Sequence, residues 1–218
     1  MIKIGLIIAG VVVIAAAGLL LRRHRHGPCP WWLIVLLENP LVQRVMGSKM
    51  IIERMGLMPG MKVLDVGCGP GRISIPMAKY IGPQGEVVSF DIQEKMLEIL
   101  KKRIKENAIT NIRVVQGGAG ASPPVLISEK SRGGEGFKNY FDRAILVTVL
   151  GEIPDRKKAL EEIYLALKPG GVLSVTEALT DPDYLSKKTI IKLAEEAGFK
   201  FKEVFGNYLS FTINLVKE

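Results

Sequence analysis

The sequence predicts an α/β fold: a mostly parallel sheet of seven strands, helices on both faces, and an antiparallel edge strand at the C-terminus. Three observations predict it. From Met50 onward, short apolar runs alternate with segments of helical spacing, the pattern of βαβ units and a parallel sheet. The first of these runs ends in a glycine-rich turn, Gly67-Cys68-Gly69-Pro70-Gly71, placed between a strand and a helix. The last two strand-like runs are separated only by a turn at Gly206-Asn207, which suits antiparallel neighbours.

The elements follow in order. Met61 to Val66 reads as the first strand, and Gly71 to Ile81 as a helix despite Pro76. Glu86 to Asp91 is a strand. Gln93 to Asn107 is an amphipathic helix with Met96, Leu97, Leu100 and Ile104 on one side, the spacing of a buried stripe. Asn111 to Gln116 and Tyr140 to Val147 are strands, and Pro154 to Leu167 is a helix. Gly171 to Glu177 is a strand, Ser186 to Ala197 a helix ended by Gly198, and Phe199 to Val204 and Tyr208 to Val216 close the chain. Gly117 to Asn139 is a long, partly irregular crossover, with Pro123-Pro124 and Gly133-Gly134-Glu135-Gly136 where a helix is otherwise expected.

Ahead of this domain, assigned to residues 50–218, lie two further segments. Ile2 to Leu21 is an apolar run of 20 residues with Lys3 as its only charge. That length crosses a hydrocarbon core of roughly 30 Å as a helix. Arg22, Arg23, His24, Arg25 and His26 follow at once, which puts that end in the cytoplasm. Residues 1–26 are therefore expected to be a transmembrane anchor with a basic flank, single-pass, with the rest of the chain cytoplasmic. The rivals are a buried helix and a cleaved signal peptide with Ala15-Ala16-Ala17 as its small-residue site, although the positive cluster lies on the wrong side for a signal peptide. Residues 27–49 form a second segment. Trp31 and Trp32 open an apolar stretch too short to span, and a helix from Trp31 to Val45, broken at Pro40, lies either in the lipid interface or against the domain.

Composition narrows the chemistry. The chain has 218 residues, 48% hydrophobic and 24% charged, which suits one domain with extra sequence and excludes full disorder. Its mean hydropathy of +0.23 is high for a soluble protein. Cys29 and Cys68 are the only cysteines, too few for a disulfide scaffold or a cysteine zinc site. The two histidines, His24 and His26, stand in the basic run, so histidine-based metal or triad chemistry is excluded and no metal is expected. Half of the formal net charge of +8 comes from Lys3, Arg22, Arg23 and Arg25. The modest remainder is no nucleic-acid footprint.

The glycine turn points to the ligand class. Glycines after a strand let the backbone turn sharply and approach a ligand, and the helix amino terminus then offers free N–H groups. Asp91 ends the next strand, where its carboxylate can accept two hydrogen bonds from ribose hydroxyls. A dinucleotide site wants G-x-G-x-x-G/A, but Arg72 stands at the last position. The observed Asp65-Val66-Gly67-Cys68-Gly69-Pro70-Gly71 resembles motif I of the class I S-adenosylmethionine-dependent methyltransferases, with their Rossmann-like sheet. The resemblance runs from Val63 to Glu177, and Leu167-Lys168-Pro169-Gly170-Gly171 resembles the family's turn before the fifth strand.

The resemblance implies roles. S-adenosylmethionine is the implied cofactor. Gly67, Cys68, Gly69 and Gly71 would face its methionyl part and ribose, Asp65 its amino group, Asp91 its ribose diol, and Ile92 its adenine. Where the family often has Gly-Asp-Ala, this chain has Gly117-Gly118-Ala119, so Gly118 and Ala119 would meet adenine through backbone only. Cys68 reads as a small packing residue.

Methyl transfer is an in-line displacement, so the protein mainly aligns the two reactants. Glu152, after the fourth strand, is the candidate base or cation-orienting group, or else a solvated residue ahead of a helix capped near Asp155. Glu177, Asp181, Asp183 and Tyr184, after the fifth strand, are the candidate substrate residues, an acidic and aromatic rim that can hold an amine. Asp181-Pro182-Asp183 is also a good turn. The motifs around Asp65, Asp91 and Lys168 to Gly171 also resemble quinone-type and phospholipid-type methyltransferases. The expected activity is therefore a membrane-anchored methyltransferase whose partners are the lipid membrane and a lipid, quinone or other hydrophobic acceptor. A methyltransferase for a membrane-associated protein, or a non-catalytic protein that keeps the fold, are the alternatives.

Overall fold

The computed structural model of the chain describes Cys29 and residues 47–122, 124–126, 128 and 136–218. The expected membrane run, its basic flank and the Trp31–Val45 helix lie outside the described residues. Among the described residues, no helix is long and apolar enough to cross a membrane.

The chain enters through α1 (Ser48–Arg54), a short helix that the sequence reading does not name. Then come β1 (Lys62–Val66), α2 (Ser74–Ile81), β2 (Glu86–Asp91), α3 (Glu94–Glu106) and β3 (Ile112–Gln116). After the crossover follow β4 (Phe141–Val147), a 3-10 turn (Leu150–Glu152), α4 (Arg156–Ala166), β5 (Leu167–Ala178), α5 (Lys187–Glu196), β6 (Lys200–Gly206) and β7 (Ser210–Val216).

The strands form one seven-stranded sheet in the order β3-β2-β1-β4-β5-β7-β6. β1 to β5 are parallel, and β7 is antiparallel to both β5 and β6. The expected C-terminal hairpin is present, with β7 inserted between β5 and β6 so that β6 takes the edge. The order reverses between β1 and β4, and such a switch point opens a crevice at the carboxyl edge.

Alternation along the strands builds two cores. Leu64 and Val66 of β1, Val88 and Phe90 of β2, and Leu173 and Val175 of β5 pack with Leu160 and Ile163 of α4 and Ile190 of α5. Val63, Val87 and Ile145 face the other way, onto Ile51 and Ile52 of α1 and Met77 and Ile81 of α2. The predicted α3 stripe is buried through Met96, Leu97 and Leu100.

Two boundaries differ from expectation, one for a local reason and one for a long-range reason. α2 begins at Ser74 rather than Gly71, because Gly71 has φ +83° and cannot be helical. Pro76 then falls in the first turn, where N–H groups have no intrahelical partner to lose. The expected turn at Lys168–Gly171 is a bulged start of β5: Phe141 pairs with Leu167 but Arg143 pairs with Val172. Gly170 donates to the Lys217 carbonyl at 2.7 Å, which ties the bulge to the end of β7. The Lys217 ammonium is buried and donates to the Tyr164 and Leu167 carbonyls at 2.8 and 2.7 Å, where a cation satisfies the end of α4.

The crossover from β3 to β4 is held by an unexpected residue. Glu162 of α4 is buried and accepts from the backbone N–H groups of Gly120 at 2.8 Å and Leu126 at 2.5 Å. Gly120 has φ +77°, and a Cβ there would lie 2.9 Å from the Asp155 carbonyl.

Candidate functional site

The turn after β1 is knitted to β2. Gly67 and Cys68 both donate their N–H to the Phe90 carbonyl, at 2.7 and 3.2 Å. Gly67, Gly69 and Gly71 all have positive φ, but for different surroundings. A Cβ on Gly67 would lie 2.4 Å from a methyl of Val149, and one on Gly71 would lie 2.3 Å from Leu100. A Cβ on Gly69 would meet nothing within 4 Å. The outer glycines thus serve packing, while Gly69 borders open space. The Cys68 thiol is buried and pushed well up by burial, which suits a packing role and not a nucleophile.

Two carboxylates frame the turn. Asp65 is buried and accepts from the Ser74 hydroxyl at 2.6 Å. Burial raises its carboxyl to about 6, Asp91 adds to the rise, and the Ser74 hydrogen bond works against it. Asp91 accepts one N–H on each oxygen: Gly69 at 2.8 Å on Oδ2 and Gln93 at 2.8 Å on Oδ1. Burial raises its carboxyl as well. A carboxylate has about four acceptor positions, so Asp91 keeps capacity for a ligand. Ile92, directly after it, is 51% exposed. A Cβ on Gly118 would lie 2.9 Å from the Ile92 side chain. The backbone of Gly118 therefore backs onto Ile92, and an aspartate would not fit there with Ile92 in this place.

The other wall is acidic. Thr148, at the end of β4, has φ +54°, a conformation that costs a non-glycine residue about 1–2 kcal/mol. The 3-10 turn after it carries Glu152, and Arg156 clamps that turn by donating to the Leu150 and Gly151 carbonyls at 3.2 and 2.7 Å. The loop after β5 lies directly on the turn: a Cβ on Gly151 would fall 1.8 Å from the Asp183 carbonyl. Asp181 Oδ1 accepts the Asp183 N–H at 2.8 Å, the expected turn. Tyr184 turns its ring onto Phe211, 5.9 Å away and nearly perpendicular.

Glu177 is the extreme group of this wall. It is 1% exposed, and its Oε1 has no hydrogen-bond partner. Burial raises its carboxyl to about 8; Asp181, Glu152 and Asp183 add to the rise, opposed by a backbone hydrogen bond from Leu185. Glu177 is thus largely protonated at neutral pH.

The structure brings Asp65, Gly67–Gly71, Asp91, Ile92 and Gly118 together on one side of the crevice, and Glu152, Glu177, Asp181 and Asp183 together on the other. Three contributors escape the sequence reading. Ser74 fixes Asp65, Val149 covers Gly67, and Cys29 joins the two sides. The Cys29 N–H donates to Glu152 Oε2 at 3.3 Å, and its carbonyl accepts from Gln93 Nε2 at 2.9 Å. A hydroxyl one helix-start after the glycine turn was a visible signal for Ser74; no local signal pairs Cys29 with residues 64 and 123 positions away.

Known proteins are similar to this chain in sequence and in fold. A family model described as a methyltransferase domain matches residues 57–205. A demethylmenaquinone methyltransferase of Lactococcus lactis is 37% identical over 120 residues, which is 55% of this chain and 43% of that protein. One of Lactobacillus johnsonii is 30% identical over 173 residues, 76% of this chain and 62% of that protein. The chain thus spans about half the length of the curated relatives it matches. Among solved structures, a SAM-dependent methyltransferase from Aquifex aeolicus superposes with a TM-score of 0.74 at 21% identity, over 87% of this chain and all of that one. A methyltransferase from Methanococcus maripaludis gives 0.66 at 21% identity, over 86% and 91%. The sheet order, the glycine turn and the family match agree: this chain belongs to the methyltransferase-domain family.

Proposed function

We propose that the chain transfers the methyl group of S-adenosylmethionine to a hydrophobic acceptor of the quinone or lipid class, at a membrane. One observation carries the cofactor assignment. Asp91 is held by the Gly69 and Gln93 N–H groups beside the open space at Gly69, with the exposed Ile92 next to it. This is a polar anchor for a diol beside an apolar platform for a purine. The groups present therefore fit the cofactor. Asp91 would hold its ribose hydroxyls, Ile92 and the Gly118 backbone its adenine, and the Gly67–Gly71 turn its methionyl part.

When bound, S-adenosylmethionine supplies an electrophilic methyl carbon on a sulfonium. The chain's own residues supply position and charge. Glu152 and Asp181 leave the acceptor side of the crevice negative, which stabilises a neighbouring cation. Glu177, held protonated by burial, is a neutral hydrogen-bond donor among these acids and can hold an acceptor oxygen in place. Quinone-class acceptors are favoured over other hydrophobic ones because the relatives at 30–37% identity are demethylmenaquinone methyltransferases.

Calorimetry with Asp91→Ala tests the cofactor site. Loss of two charge-assisted hydrogen bonds weakens S-adenosylmethionine roughly 100-fold or more. Unchanged affinity in a folded variant removes Asp91 from the site.

A further inference from the structure

The carboxyl edge that holds the crevice continues past it into an apolar lip. β7 runs antiparallel to β5 with Ser210 beside Ala178, so the β6–β7 turn lies at the same edge as the end of β5. Three large apolar side chains stand out from it: Leu179 is 51% exposed, Tyr208 73% and Leu209 46%. They are displayed by a built turn. The Leu179 N–H donates to the Leu209 carbonyl at 2.9 Å, the Asn207 N–H donates to the Ser210 carbonyl at 3.0 Å, and Asn207 Oδ1 accepts the Leu209 N–H at 2.9 Å. Backbone and side chain hold the tip, and among the described residues its apolar side chains stand largely outside the core.

We infer that Leu179, Tyr208 and Leu209 form a lip that inserts into the surface of a lipid bilayer and sets the mouth of the crevice against it. This rests on the membrane and hydrophobic-acceptor reading above and adds the surface through which it works. Several observations select a bilayer as the occupant. Three side chains make too small a patch for a stable protein interface, whereas a bilayer requires only apolar area and no matching shape. Tyr208 has the amphipathic ring favoured at a lipid–water boundary. The same chain carries the apolar run from Ile2 to Leu21 followed by its arginine cluster. The lip also follows directly on Glu177 and Ala178 at the end of β5, on the edge where the acidic wall lies.

Charge near the lip is mixed. Lys187 lies over the Phe211 ring at 5.1 Å, and Asp181 donates its N–H to the Ala178 carbonyl at 2.9 Å. Insertion is therefore apolar in origin, and zwitterionic lipid suffices.

The test places a photoreactive p-benzoylphenylalanine at Tyr208 in the full chain, mixed with phosphatidylcholine vesicles and irradiated. The control position is Met58, which is 55% exposed and precedes β1 at the opposite edge. Lipid adducts at position 208, at least about tenfold above those at 58, are expected. They should fall to the control level when Leu179→Asn and Leu209→Asn are added. A chain that floats with the vesicles yet gives equal adducts at 208 and 58 overturns the lip alone and leaves the hydrophobic-acceptor reading standing. A chain that does not float overturns both.

Discussion

Burial of Glu177 makes stability depend on pH in a way that one isosteric change should abolish. Folding lifts this carboxyl from 4.5 to about 8. Between those values the folded chain holds a proton that the unfolded chain has released, so stability falls as pH rises. The slope is about 1.4 kcal/mol per pH unit for one such proton. Across the window the loss reaches on the order of 3–5 kcal/mol, most of which comes from desolvating the charge. Below the lower value both states are protonated and the full contribution is present. Glu177→Gln keeps the shape and stays neutral. Urea unfolding of the full chain, in a fixed mild detergent from about pH 5 to pH 9, should give nearly equal stabilities at the acid end. The variant should then gain progressively and be several kcal/mol more stable at the alkaline end. Asp65, raised to about 6, slopes the same way in both proteins and cancels in the difference. Parallel curves would refute the buried, protonated state of Glu177 and with it the hydrogen-bond donor assigned to the acceptor side.

The glycines of the turn should separate packing from binding. Gly69→Ala adds a methyl to open space at φ +52°, so it should cost only about 1–2 kcal/mol of stability yet abolish cofactor binding in titration. Gly67→Ala forces a methyl to 2.4 Å from Val149 and should cost clearly more stability than Gly69→Ala in the same denaturation experiment; equal costs would contradict the distinction. Glu162→Ala strands the Gly120 and Leu126 N–H groups, a loss of roughly 2–5 kcal/mol, with faster hydrogen exchange confined first to residues 117–128.

Much of this was legible in the chain because parallel strands and helices announce themselves by period. Asp65, the glycine turn and Asp91 could be placed from sequence, since a strand end, a turn and the next strand end must meet at one edge. What escaped was set at long range. Glu162 reads as one more acid on a charged helix, although it stands beside Leu160 and Ile163 on the buried stripe. Its purpose appears only when the crossover is seen against it. The turn expected at Lys168–Gly171 became a bulge because the far end of the chain, Lys217, pairs with it. The sequence named Glu177 as a substrate residue but could not show its protonated state, which depends first on its burial and then on three acids that the fold brings beside it. The expected anchor and interfacial helix fall outside the described residues, and membrane attachment stands as a proposal.

The central claim is methyl transfer to a hydrophobic acceptor, and the most direct measurement follows the methyl group. Full-length protein and host membranes would be incubated with methyl-labelled S-adenosylmethionine, and label counted in lipid, protein and aqueous fractions. The account predicts enzyme-dependent label in the lipid fraction, lost with Asp91→Ala. Label confined to protein or water, or no transfer from folded protein that binds the cofactor, would contradict it.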